Sequence, residues 1–330
     1  MNILLCIRKQ LDSTQRLAGL GFLGVGRNDP TMERFRHRLS QLFPTSRHAF
    51  AAHDYRFVDM QRGLSIGFIA SPPHAHEAGL RWMFEHGVDR IVLEKPIASS
   101  TCDVDAIGDV LRDEPDRVCV QEQYLYSRLY EELLQLVANP VAYVAARCGR
   151  AAEALTVTGT LTRFYKGRLK DLGHQRHVEN ICLLELPHIL TLLHNAFGQQ
   201  TVASLDVDDL HYRSRVYPRY KRASIVLHDR AGRRHDVDLS NVDPCRRTMS
   251  IALSDGTSVE LAFPGRLRGD VTIFESRVTI SRGRRLLFLQ SYADDHLSTA
   301  VRRYLRWDGI LGTYERCFEP SRLAADLAGR

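Results

Sequence analysis

Two short apolar runs, set one helix length apart, constrain this chain most. Leu64 to Ala70 and Asp89-Arg-Ile-Val-Leu93 read as strands. Between them, Glu77 to Gly87 places Ala78, Leu80, Trp82, Met83 and Phe84 largely on one side of a short helix, with Gly87 as its stop. Pro72-Pro73 closes the first strand, because proline lacks the N–H a ladder needs. The unit reads strand–helix–strand, and two strands joined this way run parallel. The segments Ser71 to His76 and Glu94-Lys95-Pro96 then fall at carboxyl ends of parallel strands, the edge where open α/β sheets bind ligands. Lys95, fixed by a neighbouring proline, is a candidate acid/base or polarising group; a solvated loop lysine is the plain alternative.

The same alternation extends in both directions. Met1 to Ile7 reads as a strand, Leu11 to Leu20 as a helix, and Gly21 to Gly26 as a second strand. Asp29-Pro30 starts an Arg-rich amphipathic helix over Thr31 to Leu42, and Tyr55 to Asp59 makes a short strand. Asp103 to Leu111 is helical and Arg117 to Val120 is the next strand, so a doubly wound parallel sheet is expected. After a helix over Tyr124 to Val137, broken at Asn139-Pro140, the character changes. Val141 to Cys148, Leu155 to Arg163, Val202 to Val216, Ala223 to Asp229, His235 to Leu239, Thr248 to Leu253, Ser258 to Phe263, Val271 to Ile280 and Leu286 to Gln290 all read as strands. Ser254-Asp-Gly256 is a hairpin signal between two of them. One apolar helix, about Glu179 to Ala196, interrupts them, and Asp294 to Leu305 makes a late one. A large, mostly antiparallel sheet covered on one face by helices fits this pattern.

These motifs resemble the Gfo/Idh/MocA family of NAD(P)-dependent dehydrogenases, which act mostly on sugars, cyclitols and related compounds. The 69–96 block carries the resemblance most specifically; it continues at Gln121-Glu-Gln-Tyr-Leu-Tyr-Ser127 and at Glu185-Leu-Pro-His188, within roughly residues 25 to 200. The resemblance implies a Rossmann-like dinucleotide-binding domain over 1–122 and an α+β substrate and oligomerisation domain over 123–330. It implies that Lys95 lies beside the nicotinamide and that His188 is the catalytic histidine. Ser71, Pro72, His74, His76, Glu94, Pro96 and Gln121 would surround the cofactor, and Tyr124 and Tyr126 would line the substrate cleft. A homo-oligomer is also implied.

The residues themselves support that chemistry and leave alternatives open. Carbonyl reduction needs a proton donor to the developing alkoxide, which histidine suits near neutral pH. Glu185 and His188 share a helical face, and a carboxylate beside the ring can orient it. The family's acid lies four residues before the histidine, where this chain has Leu184, so Glu185 either replaces it or points elsewhere. His188 otherwise reads as a satisfied core histidine, and Tyr124 and Tyr126 as core tyrosines. His174, His177, Glu185 and His188 match no ligand signature, and no metal is expected.

The first loop departs from the family. A dinucleotide fold opens with Gly-x-Gly-x-x-Gly, whereas Cys6 to Ser13 contains no glycine. Arg8 and Lys9 offer charge-assisted bonds to phosphate and Ser13 a helix cap; the alternative is solvated loop charge. In Gly26-Arg27-Asn28, Arg27 and Asn28 follow the second strand, where an arginine accommodates a 2′-phosphate. NADP(H) is therefore expected over NAD(H). The competing expectation is a chain that binds no dinucleotide and works as a non-redox acid/base enzyme or a binding protein.

Composition excludes other classes. The 330 residues, 44% hydrophobic and 25% charged, suit a soluble two-domain protein. No run approaches about 18 uncharged apolar residues, and Met1 to Ile7 is too short for a signal peptide. Seven scattered cysteines without a Cys-x-x-Cys pair argue for reduced thiols in a cytoplasm. The net charge of +6 comes largely from dispersed arginine, which gives no nucleic-acid or membrane footprint. The densest basic run, Arg163, Lys166, Arg168, Lys170 and Arg176, leads into the helix of His188. Arg163 and Lys166 are therefore expected to border the cleft and favour an anionic substrate.

Overall fold

The computed structural model describes residues 19–23, 41, 47–51, 65–71, 73–149, 154–165, 180–208, 222–240, 245–264, 266–268 and 271–330. Strands β1 (Gly19–Leu23) and β2 (Arg47–Ala51) pair in parallel. β3 (Ile66–Ile69), β4 (Arg90–Leu93) and β5 (Val118–Val120) form a second parallel sheet in that order. Helix α1 (His76–Glu85) makes the first crossover and turns off at Gly87, whose φ of 67° suits glycine. Helix α2 (Thr101–Leu111) makes the second, its N-terminus capped by Ser100. Ile91, Val92 and Leu93 are all buried, as expected for a parallel strand covered on both faces.

The chain then leaves this sheet through a 3-10 turn, Gln123–Tyr126, and α3 (Arg128–Ala138). The next segment corrects the sequence reading, which makes Val141 to Cys148 a strand. It is a helix, α4 (Pro140–Cys148). Asn139 accepts from the Ala142 N–H at 2.9 Å, Pro140 sits in the first turn, and Gly149 closes the helix in the left-handed region. Caps at both ends outweigh the strand preference of its valines.

The large sheet has eight strands: β6 (Val157–Tyr165), β7 (Gln200–Asp208), β8 (Arg222–Asp229), β9 (Arg234–Ser240), β10 (Arg246–Leu253), β11 (Thr257–Ala262), β14 (Glu275–Arg282) and β15 (Arg285–Ala293). A separate ribbon, β12 (Arg266–Arg268) with β13 (Val271–Ile273), intervenes in the chain. The spatial order is β15-β14-β11-β10-β6-β9-β8-β7, antiparallel except for β6 with β9. The expected hairpin at Ser254-Asp-Gly256 joins β10 to β11, with Gly256 at φ 81°. Alternation along the strands buries one face against α3, α5 (Ile181–Leu184) and α6 (Leu186–Phe197). Helix α6 is apolar nearly all round and almost wholly buried.

After α7 (His296–Arg306), the chain returns to the small sheet. Gly312 accepts from the Val120 N–H at 2.7 Å, and a Cβ there would lie 2.0 Å from the Val120 carbonyl oxygen. Only glycine permits that approach. The last helix, α8 (Tyr314–Gly329), then packs on α2 and α6, with Phe318 against Gly108.

Candidate active site

The site is built at the carboxyl edge of the small sheet. Glu94 N–H donates to Ile69 O and Gln121 N–H to Leu93 O, each at 2.8 Å. The ladder therefore runs on past the strand ends, and Lys95 and Glu122 leave the sheet on one edge. The Lys95–Pro96 bond is cis. The Lys95 amine donates to the Leu184 carbonyl at the end of α5, so the loop after β4 touches the helical layer of the large sheet.

Helices α5 and α6 break at Glu185. Pro187 stands in the first turn of α6, where its missing N–H removes no helical bond. This puts His188 in the first turn of α6, facing the strand ends. Its Nδ1 lies 2.6 Å and 2.7 Å from the two carboxyl oxygens of Glu122. Both side chains are buried. A nitrogen and an oxygen this close hold a proton between them, since two lone pairs would repel. Burial pushes the Glu122 carboxyl up to about 8, with the charge of Lys95 and the Tyr124 N–H pulling the other way and Glu185 adding to the rise. The Tyr124 ring completes the wall, edge-on to His188 at 4.8 Å and stacked on His296 at 5.2 Å. Burial raises the Tyr124 hydroxyl and lowers the His296 ring.

The structure redistributes the expected site residues. Lys95, His188 and Tyr124 come together. The carboxylate on Nδ1 of His188 is Glu122, and Glu185 is buried at the break between α5 and α6. The signal for Glu122 is in the sequence: it follows Arg117 to Val120 as Glu94-Lys95 follows its own strand, at the same ligand-binding edge. Tyr126 turns away from the cleft. Its hydroxyl accepts from Leu311 and Gly312 N–H and its ring packs on Tyr304, so it anchors the returning C-terminal segment. Arg163 lies away from the Tyr124 wall. Phe164 faces Tyr124 at 5.5 Å, so period-two alternation sends Arg163 to the opposite face, where it pairs with Asp238 at 3.6 Å.

Among the expected cofactor residues, Glu94 and Ser71 are half-buried at the strand ends, Pro96 and Gln121 are buried, and His74 is exposed. His76 is buried with both ring nitrogens on backbone carbonyls. Arg8, Lys9, Ser13, Arg27, Asn28, Pro72 and Lys166 lie outside the described residues, as do Arg168, Lys170, His174, Arg176 and His177. The donor set at the strand ends, a lysine amine and backbone groups beside a buried carboxyl–imidazole pair, fits the nicotinamide end of a dinucleotide.

Against solved structures the likeness spans nearly the whole chain. It is the fold of two-domain oxidoreductases. KijD10, a 3-ketoreductase from Actinomadura kijaniata in complex with NADP and TDP-benzene, superposes with a TM-score of 0.70 at 10% identity, covering 98% of this chain and 91% of that one. UDP-N-acetylglucosamine 3-dehydrogenase GnnA from Acidithiobacillus ferrooxidans gives 0.67 at 14% identity, covering 99% and 93%. No protein-family model matches the chain, and no curated protein matches it in sequence. No helix among the described residues is long and apolar enough to cross a membrane.

Proposed function

We propose that this chain is an oxidoreductase that uses NADP(H) in preference to NAD(H). Its substrate would be small and polar, of the sugar, sugar-nucleotide, cyclitol or imine class, with His188 as acid/base and Lys95 assisting. The observation that carries the reading is the Lys95 amine bonded to Leu184, four residues before a histidine that shares a proton with buried Glu122. The fold likeness to a ketoreductase crystallised with NADP and to a nucleotide-sugar dehydrogenase supports it.

A bound dinucleotide supplies or accepts the hydride. The residues handle the proton. With its carboxyl raised to about 8, Glu122 holds a proton at neutral pH and donates it to Nδ1, which fixes the His188 tautomer with hydrogen on Nε2. As negative charge develops on a substrate carbonyl oxygen, Nε2–H gives up its proton and the Glu122 proton moves to Nδ1. The ring thus stays neutral throughout. Lys95 places a donor beside the same oxygen and favours its negative charge. Oxidation runs these transfers backwards.

Titration with NADPH, followed by nicotinamide fluorescence, tests the reading. Binding tighter than roughly 100 μM, about −5.5 kcal/mol, supports it. Arg27→Asp should then weaken NADPH relative to NADH through the loss of a phosphate partner. The glycine-free segment Cys6 to Ser13 favours a second reading, a non-redox acid/base enzyme built on the same Glu122–His188 pair. Absence of binding by NADPH and NADP⁺ alike would select it.

A further inference from the structure

We propose that His76 is the positioning residue for Lys95; the inference rests on the reading of Lys95 as a working group. His76 opens helix α1, and its imidazole lies between two loops. Nδ1 is 2.8 Å from the Ile97 carbonyl and Nε2 is 2.8 Å from the Ser71 carbonyl. Ile97 follows Lys95 by two residues, and Ser71 follows the last residue of β3 by two. A single ring therefore ties the loop that leaves β3 to the loop that leaves β4.

The ring is only 1% exposed, so water does not stand in for either contact. Neutral imidazole donates from one nitrogen and imidazolium from both. A carbonyl oxygen 2.8 Å from each nitrogen calls for a donor at each, which the imidazolium supplies. Burial lowers the ring, the two backbone bonds favour the charged form against it, and a group of another length would alter the spacing of the carbonyls. The Lys95 side chain has its other hold on the far side of the cleft, at the Leu184 carbonyl. A shift of the 94–97 loop consequently moves the amine relative to His188, and displacements of about 1 Å at a catalytic group cost on the order of 10²-fold in rate. Helix α1, which carries no group in the cleft itself, is in this way coupled to the proton-handling pair.

The chain has five lysines, at 9, 95, 166, 170 and 221, so amine labelling read by peptide mass spectrometry resolves each one. In His76→Leu, Lys95 should label about tenfold faster, the equivalent of about 1.4 kcal/mol, with the other four lysines unchanged. Turnover should fall in kcat and not in KM. His76→Gln, whose amide presents two N–H donors, should restore both readouts. Should His76→Leu not fold, His76→Asn, which is short enough to reach one carbonyl only, takes its place in the comparison. Lys95 labelling that stays at the wild-type rate, or that rises no more than at the other lysines, overturns the proposal. So does a Gln variant that behaves as the Leu variant does. If the wild type binds no NADPH and turns over no carbonyl while Lys95 labelling follows the series, hydride transfer fails as the function and the positioning role stands.

Discussion

Two buried carboxylate–histidine pairs stand among the described residues, and their surroundings push the two acids in opposite directions. His188 meets Glu122 at 2.6 Å where the small sheet ends. His235 meets Asp229 at 3.2 Å on the helix-covered face of the large sheet, with Thr160 on its other nitrogen at 3.0 Å. Burial acts on both acids. For Asp229 it is outweighed: Arg233 donates from its side chain at 2.6 Å and its backbone at 3.0 Å, and Ala231 N–H adds a third bond. The Asp229 carboxyl therefore falls below the ordinary range, and burial lowers the His235 ring against the pull of Asp229. Among the described residues Glu122 receives one long bond, from Tyr124 N–H at 3.3 Å, besides the ring, and burial prevails. A saturated carboxylate is a fixed anion that holds β8 to β9. One with few donors is pushed by burial toward its protonated form.

The sharpest way to break this comparison is paired mutagenesis. Glu122→Gln and His188→Ala should each lower turnover by about 10²-fold or more, the scale of lost acid/base assistance. Asp229→Asn should leave turnover near wild type and cost about 1–3 kcal/mol in urea unfolding, because a buried network loses its anion. Equal loss of turnover in Asp229→Asn would erase the distinction.

Stability against pH separates the pairs next. The folded Glu122 carboxyl is raised from 4.5 to about 8, so the folded state binds more protons between these values. Its contribution is complete below about 4.5 and disappears as the pH rises through about 8. Asp229 has the opposite sign: its contribution is present above its unfolded value of 3.8 and is lost in more acidic solution. Denaturation series should show Glu122→Gln flattening the neutral limb and Asp229→Asn the acid limb. A neutral limb unaltered in Glu122→Gln would mean that Glu122 is an ordinary carboxylate.

The smallest effect is expected on the open face of the large sheet. Arg163 and Asp238 are each about one-third exposed, at 33% and 34%, and 3.6 Å apart. Arg163→Ala should cost at most about 1 kcal/mol and leave turnover and its salt dependence unmoved. A marked fall in kcat/KM would return Arg163 to the substrate side.

Local order in this chain was written locally. The period of 3.6 between Glu77 and Gly87 and the flanking apolar runs fix a parallel pair, and with it the edge at which Lys95 emerges. Asp255-Gly256 fixes a hairpin, whereas the single helix expected over Glu179 to Ala196 divides in two at Glu185, ahead of Pro187. Val141 to Cys148 reads as a strand and folds as a helix, because caps at 139 and 149 prevail over β-branched residues across only nine positions. Alternation likewise states that Arg163 and Phe164 face opposite ways, yet nothing in it names the face that the helices cover. The pairing of Glu122 with His188, 66 residues apart, was settled by docking α6 against the strand ends, as was the bond from Lys95 to Leu184 across 89. Periodicity and turn chemistry act over a few residues, whereas a proton shared in a dry interior needs two elements brought together and water removed from between them.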